Sequence, residues 1–136
     1  MTPRKGITMP KSTPTCNSIV NLMYRATAWA NVADNAASSP LTNTYVAMHT
    51  ATPTAAANSQ AENETAYTDY ARQAVARSTG WTAASGGATE NAATISFPPR
   101  AVPGAALTYV STGVGASGAT AEWHHGALDR SLAESA

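Results

Sequence analysis

The sequence predicts a mainly β protein: an antiparallel β-sandwich or open barrel, with one N-terminal α-helix and an extended N-terminal arm. Three observations predict it. Apolar residues recur at helical spacing once, over about 18–30. After Pro40 the pattern changes to period two and keeps that period through several short runs. Gly, Pro, Ser and Asn clusters separate those runs. The 136 residues suit one domain. It is read as an arm over 1–16 and a single β-rich domain over 17–136.

The arm carries Pro3, Pro10 and Pro14 among polar residues, and proline supplies no N–H to a ladder. Met9 offers a second start. Asn17 or Ser18 can cap the helix. Ile19, Leu22, Met23, Ala26 and Ala30 then share one face, while Asn21, Arg25 and Asn31 lie away from it. "NVADNAASSP" ends it with turn formers. In "TNTYVAMHTATP", Tyr45, Ala47 and His49 oppose Val46 and Met48, the alternation of a strand. A long polar loop comes after Pro53, with one helical turn expected at Glu62–Ala66. "YTDYARQAVARS" alternates again and sets Arg72 and Arg77 on opposite sides. Trp81 opens a further short strand. Gly86–Gly87 marks a turn. "NAATISFPP" predicts a strand that its two prolines end. "ALTYVSTGVG" and "TAEWHHGAL" predict the last two strands.

Charge is scarce. Eight basic and eight acidic side chains cancel and make up 12% of the chain. A nucleic-acid protein needs a basic face, so that class is disfavoured. Small neutral residues on a surface suit close contact with protein neighbours, because little charge must be desolvated. The N-terminus has no apolar secretory core, no run is long enough to span a membrane, and the lone Cys16 has no bridging partner in the chain.

The motifs that suggest chemistry are weak. Gly113, Gly115 and Gly118 spell G-x-G-x-x-G, but the segment after Gly118 is short and aromatic, so the glycines read as a hairpin turn. His124 and His125 are adjacent and point to opposite faces of a strand, which disfavours joint chelation. A metal site would need His49 with one of that pair. Ser117 lies outside a G-x-S-x-G frame. Glu62 and Glu64 read as solvated loop charges. Tyr67, Tyr70, Trp81, Phe97, Tyr109 and Trp123 read first as core, and second as partner or glycan contacts. His49 is expected to pack or hydrogen-bond near its strand exit.

Ordered words carry more than any single motif. "NLMYRATAWANVADNAASSPLTNTYVAMHTATP", "NETAYTDYARQAVARSTGWT", "ATENAATISFP" and "GASGATAEWHHGAL" stand in sequence. Over about residues 9–128 the chain resembles a family of small tailed-bacteriophage structural proteins, often of tail-fibre type. That resemblance implies a non-enzymatic virion component at the particle surface, assembled in the bacterial cytoplasm. It implies no cofactor, no catalytic residue and no metal ligand. Implied partners are other virion proteins (the major capsid protein, or neck and tail proteins) and copies of the chain itself, without nucleic acid or membrane. Within the virion, head decoration or cement is the leading expectation. A neck or tail-fibre protein, or a glycan-binding module, is the alternative. Relatives continue past "GAL"; a chain ending at "DRSLAESA" would leave an open sheet edge. Expected contact residues are Pro3, Pro10, Pro14, Pro53, Glu62, Tyr67 and Trp123.

Overall fold

The computed structural model describes residues 13–29, 41–54 and 59–132. These residues form helix α1 (Thr13–Arg25) and strands β1 (Asn43–His49), β2 (Gln73–Ala76), β3 (Leu107–Gly113) and β4 (Glu122–Leu132). The strands make one antiparallel sheet in the order β2-β1-β3-β4. The mainly β architecture with one helix is therefore as the sequence predicts. Among the described residues there is this single sheet.

The helix starts earlier and stops earlier than the expected 18–30. Pro14 fits its first turn, where a missing N–H costs no bond and φ is already helical. The stop comes at Ala26, which takes a left-handed φ of 53°, and Thr27 N–H closes back on Asn21 O at 3.2 Å. The side chain of Arg77 donates to the carbonyls of Leu22 and Met23, two acceptors that a helix end leaves unpaired. A cation there also meets the negative end of the helix dipole.

One face of the sheet packs under α1. Tyr24, Val46, Val75 and Trp81 form the buried core, with Val20, Met23, Ile95, Phe97, Val110 and Trp123 against it. Tyr24 stands edge-on to Trp81 at 4.6 Å between centroids, a geometry worth roughly 0.5–1.5 kcal/mol beyond area burial. The helix face expected to be polar is also docked. Asn17 Oδ1 accepts from Gly87 N–H, Asn21 Oδ1 accepts from Ala84 N–H, and Arg25 donates to Trp81 O. The 80–92 segment thus covers it.

That segment is not the short strand expected at Trp81. It holds single bridges at Trp81↔Asn91 and Ser85↔Ala88. The Gly86–Gly87 turn is as predicted: both glycines have positive φ, and Ser85 and Ala88 exchange backbone bonds across a two-residue loop. The strand expected in "NAATISFPP" is also absent. Ile95 and Phe97 reach the core as their alternation suggests, but 93–97 forms no ladder. A gap of about 260 Å³ lies between Ala93–Ser96 and β2. Periodicity reports which side chains are buried, not whether the backbone finds a partner. The turn expected at Glu62–Ala66 lies instead at residues 60–63, and Glu64 pairs with His49.

Candidate functional site

The opposite face of the sheet carries the polar chemistry. Strand alternation sets Ala47, His49, Tyr109 and Ser111 on this side. The 59–72 segment folds back over it. Thr50 N–H reaches Asn63 O, and Thr65 N–H reaches Met48 O, so this segment takes over the β1 edge where β2 ends. Asn63 and Asp69 hold left-handed φ values of 53° and 69° at the bends. Asparagine and aspartate tolerate that region better than most residues.

Inside lies one connected network. His49 is fully buried and uses both ring nitrogens. Nδ1 is 2.9 Å from Glu62 O and Nε2 is 2.8 Å from Ser111 Oγ. A carbonyl only accepts, so Nδ1 carries the proton and Nε2 accepts the serine hydroxyl. Burial pushes the His49 pKa below the ordinary imidazole value. Gln60 donates to Tyr45 O and Ser111 Oγ. Glu64 and Arg72 form a bidentate pair, with Nε to Oε1 and Nη2 to Oε2 both 2.7 Å. Arg72 further donates to Gly115 O, Gly118 O and Thr120 Oγ1. Tyr70 donates to Glu64 Oε1 while accepting from Met48 N–H, and burial drives its phenol pKa up.

This arrangement braces the fold. A serine hydroxyl bonded to an imidazole resembles a nucleophile and its base. Here the pair is 1% and 0% exposed, with Gln60 packed on the serine, so no substrate reaches it. The Gly113–Gly118 loop turns carbonyls toward a guanidinium, the reverse of a loop that offers N–H groups to phosphate. His124 and His125 face opposite ways, as expected. Among the described residues no three His, Cys, Asp or Glu side chains come together as a metal site.

The outer surface of the same region is sculpted. Two depressions of about 440 and 410 Å³ share the ridge Glu64–Tyr67. Arg100 lies over the Tyr67 ring, 4.9 Å from its centroid, and Tyr67 Oη donates to Pro98 O. Gly104 permits this, since a Cβ there would collide with the Arg100 guanidinium. Val102, 69% exposed, stands on the same loop.

The expected contact residues scatter. Pro3 and Pro10 lie outside the described residues. Pro14 is exposed on α1. Pro53 is fully enclosed, which removes its ring from any outside contact in this conformation. Glu62 is half-buried and accepts from Thr54 N–H and Oγ1, so it closes the chain between them instead of standing in solvent. Glu64, also expected to be solvated, is in the buried pair. Tyr67 is half-buried on the ridge. Trp123 lies on the helix side, edge-on to Tyr24 at 5.8 Å, so the fold does not bring it to the others. Strict alternation fails at Trp123 because β4 carries an extra residue opposite Thr112–Gly113. Trp123 and His124 therefore both meet Tyr24, while Glu122 reaches His125. Trp81, a ring that a glycan contact would need at the surface, is 7% exposed.

The profile of the family described as podophage GP4 fiber I protein gp80 matches residues 10–133. The chain belongs to that family. No curated protein matches it. Membership in the GP4 fiber I family makes this a tailed-phage structural protein of fibre type, and association with other virion components follows from that class. Sequence reasoning missed the Arg72 network. The available signal was an arginine on an alternating strand of a charge-poor chain, a position that needs a partner once buried.

Proposed function

We propose that this chain is a non-enzymatic fibre subunit of a tailed-phage virion, seated at a neck or tail appendage. The family match over residues 10–133 carries the reading. It favours the fibre alternative over the head-decoration expectation, because the family is named for a fibre. The sealed His49–Ser111 pair supports a structural role. The network on that face holds three segments, 59–72, 113–121 and the sheet, as one rigid block. A rigid block transmits force and presents constant surfaces to neighbours, which a fibre subunit requires. The ridge at Glu64–Tyr67 and the 98–105 loop are the contact surface for the next virion protein. Virion partners and the surface location belong to this proposal.

The test is location and copy number. Antibody-gold labelling of purified particles should mark the neck or tail, with few copies per particle by quantitative mass spectrometry. Label spread over the head at shell-like copy number would instead favour decoration. Protein found only free in the lysate would remove the virion role altogether.

A further inference from the structure

Three fully buried side chains, His49, Gln60 and Ser111, meet at one atom, the serine oxygen. Ser111 Oγ donates to His49 Nε2 at 2.8 Å, and the ring's Nδ1–H is held by Glu62 O at 2.9 Å. These are a hydroxyl, an imidazole in the tautomer that accepts its proton, and a carbonyl that fixes the tautomer. No outside substrate enters, but an acyl group is already inside. The Gln60 side-chain amide lies against the serine, with Nε2 3.3 Å from Ser111 Oγ. Its orientation is set from both sides. Nε2 donates to Tyr45 O at 2.9 Å, so the amide oxygen faces Arg72, whose Nη1 stands 3.4 Å from Oε1. Gly113 leaves room for this amide, since a Cβ there would run into Gln60 Oε1 and Cδ. A brace requires only that donors meet acceptors. Here the order is also that of a base, a nucleophile, an acyl carbon and a cation on the acyl oxygen.

We infer that Ser111 and Gln60 join in an intramolecular ester, formed once by the folded chain on itself. The serine oxygen attacks Gln60 Cδ while His49 Nε2 takes the hydroxyl proton, and the bond formed is Oγ–Cδ. Negative charge gathers on Oε1, where the Arg72 guanidinium meets it; their separation shortens as the charge develops. The Cδ–Nε2 bond then breaks, His49 returns the proton to the leaving nitrogen, and ammonia departs. The balance closes with nothing added: a hydroxyl and a primary amide become an ester and ammonia. The amide must turn about its last side-chain torsion to show its carbon to the serine, and that torsion is soft. Burial keeps His49 neutral and able to accept, while Glu64 and Glu122 favour the imidazolium that forms and Arg72 opposes it. Ser111, 1% exposed, keeps water from the ester once it exists, and escape of ammonia to solvent draws the exchange forward. The product ties β3 to the 59–72 segment by a covalent bond between residues 51 apart in the chain. This cross-link is read on purified protein, so its failure leaves the virion location untouched.

Mass spectrometry of the full folded chain, kept at neutral pH after purification, should show a mass below that of the sequence by one ammonia, beyond any removal of Met1. Trypsin should then release residues 26–72 and 101–130 as one branched species, since no lysine or arginine interrupts either stretch. Alkaline hydroxylamine should part the two and leave a hydroxamate at position 60, a treatment that an amide cross-link resists. Ser111→Ala and Gln60→Glu should each keep the full mass of their own sequences. His49→Gln, with its fold checked by circular dichroism, should form the branched species more slowly by about a hundredfold or more. Full sequence mass in the folded wild type overturns the proposal and leaves the group a hydrogen-bonded brace. So does an ammonia loss that maps to an asparagine instead. A branched species that persists in Ser111→Ala, or forms at the wild-type rate in His49→Gln, overturns it as well.

Discussion

Arg72→Met is the most informative single change. It removes the guanidinium that joins β2 to the 59–65 segment and to the β3–β4 loop. The methionine keeps much of the side-chain volume, so the effect reports charge and hydrogen bonds more than a cavity. Left behind are a Glu64 carboxylate 15% exposed and the carbonyls of Gly115 and Gly118 without this donor. Removing one partner of a buried pair costs about 3–5 kcal/mol. The partial exposure of Glu64 lets water relieve some of this, which sets the expectation near the low end, about 3 kcal/mol. Domains of this kind have roughly 5–15 kcal/mol in total. With a urea slope of about 1–3 kcal/mol per molar, the midpoint should fall by about 1–3 M. Fluorescence of Trp29, Trp81 and Trp123 would follow the transition. Arg72→Met with Glu64→Gln should cost less than the sum of the two singles, because the second change removes the stranded charge. Added salt should alter the wild-type value little, since the pair is shielded from counterions. An Arg72→Met loss under about 0.5 kcal/mol at unchanged slope would instead mark the pair as an ordinary surface contact that braces nothing.

Three further outcomes are expected. His49 is held neutral by burial, so the unfolded chain takes a proton first as pH falls below about 6.5. Stability from this site is intact above that pH and declines below it, and His49→Gln should flatten that part of a pH series of urea midpoints. Gly113→Ala would drive its Cβ into Gln60 Oε1 and the backbone carbonyl of Ala121; it should lose about 1–3 kcal/mol by calorimetry. Trp81→Ala deletes the ring packed on Tyr24 and the Nε1–H bond to Thr44 Oγ1 at 3.0 Å, and should cost about 3–5 kcal/mol in the same urea assay.

The part of the fold legible in the sequence is the part that short-range spacing encodes. One helix, the four strand cores, the Gly86–Gly87 turn and the opposite facing of Arg72 and Arg77 follow from periods of 3.6 and 2. Arg72 turns to Glu64 and Arg77 to the end of α1, as the alternation requires. The illegible part depends on pairs far apart in the chain. Glu64 reads as solvated because its partner lies eight residues on and its lid comes from residues 113–121. The extra residue at Trp123 shifts every later face in β4, and no local signal marks it. Residues 93–97 have a strand's side-chain pattern without a strand's hydrogen bonds. The candidate contact surface was the least legible part. It forms where loops 64–67 and 98–105 meet, and only folding joins them.

The internal use of charge has a consequence for the exterior. The chain has sixteen acidic and basic residues in all. Arg25, Arg72, Arg77 and Arg100 bind carbonyls, hydroxyls or Glu64 within the chain. Glu62, Glu64 and Glu122 bind Thr54, Arg72 and His125. Among the described residues, charge already scarce in the sequence is therefore scarcer still at the outer surface, where alanine and threonine are the commonest exposed residues. A free, crowded monomer normally carries about 25–35% charged surface to resist association. A subunit covered by neighbours has the opposite requirement, because every charge brought into a contact must be desolvated or matched. The same few charges that lock the loops onto the sheet are thereby withdrawn from the faces that other subunits must approach. Folding and assembly draw on one small set of ionic groups, and this chain assigns most of the identified ones to folding.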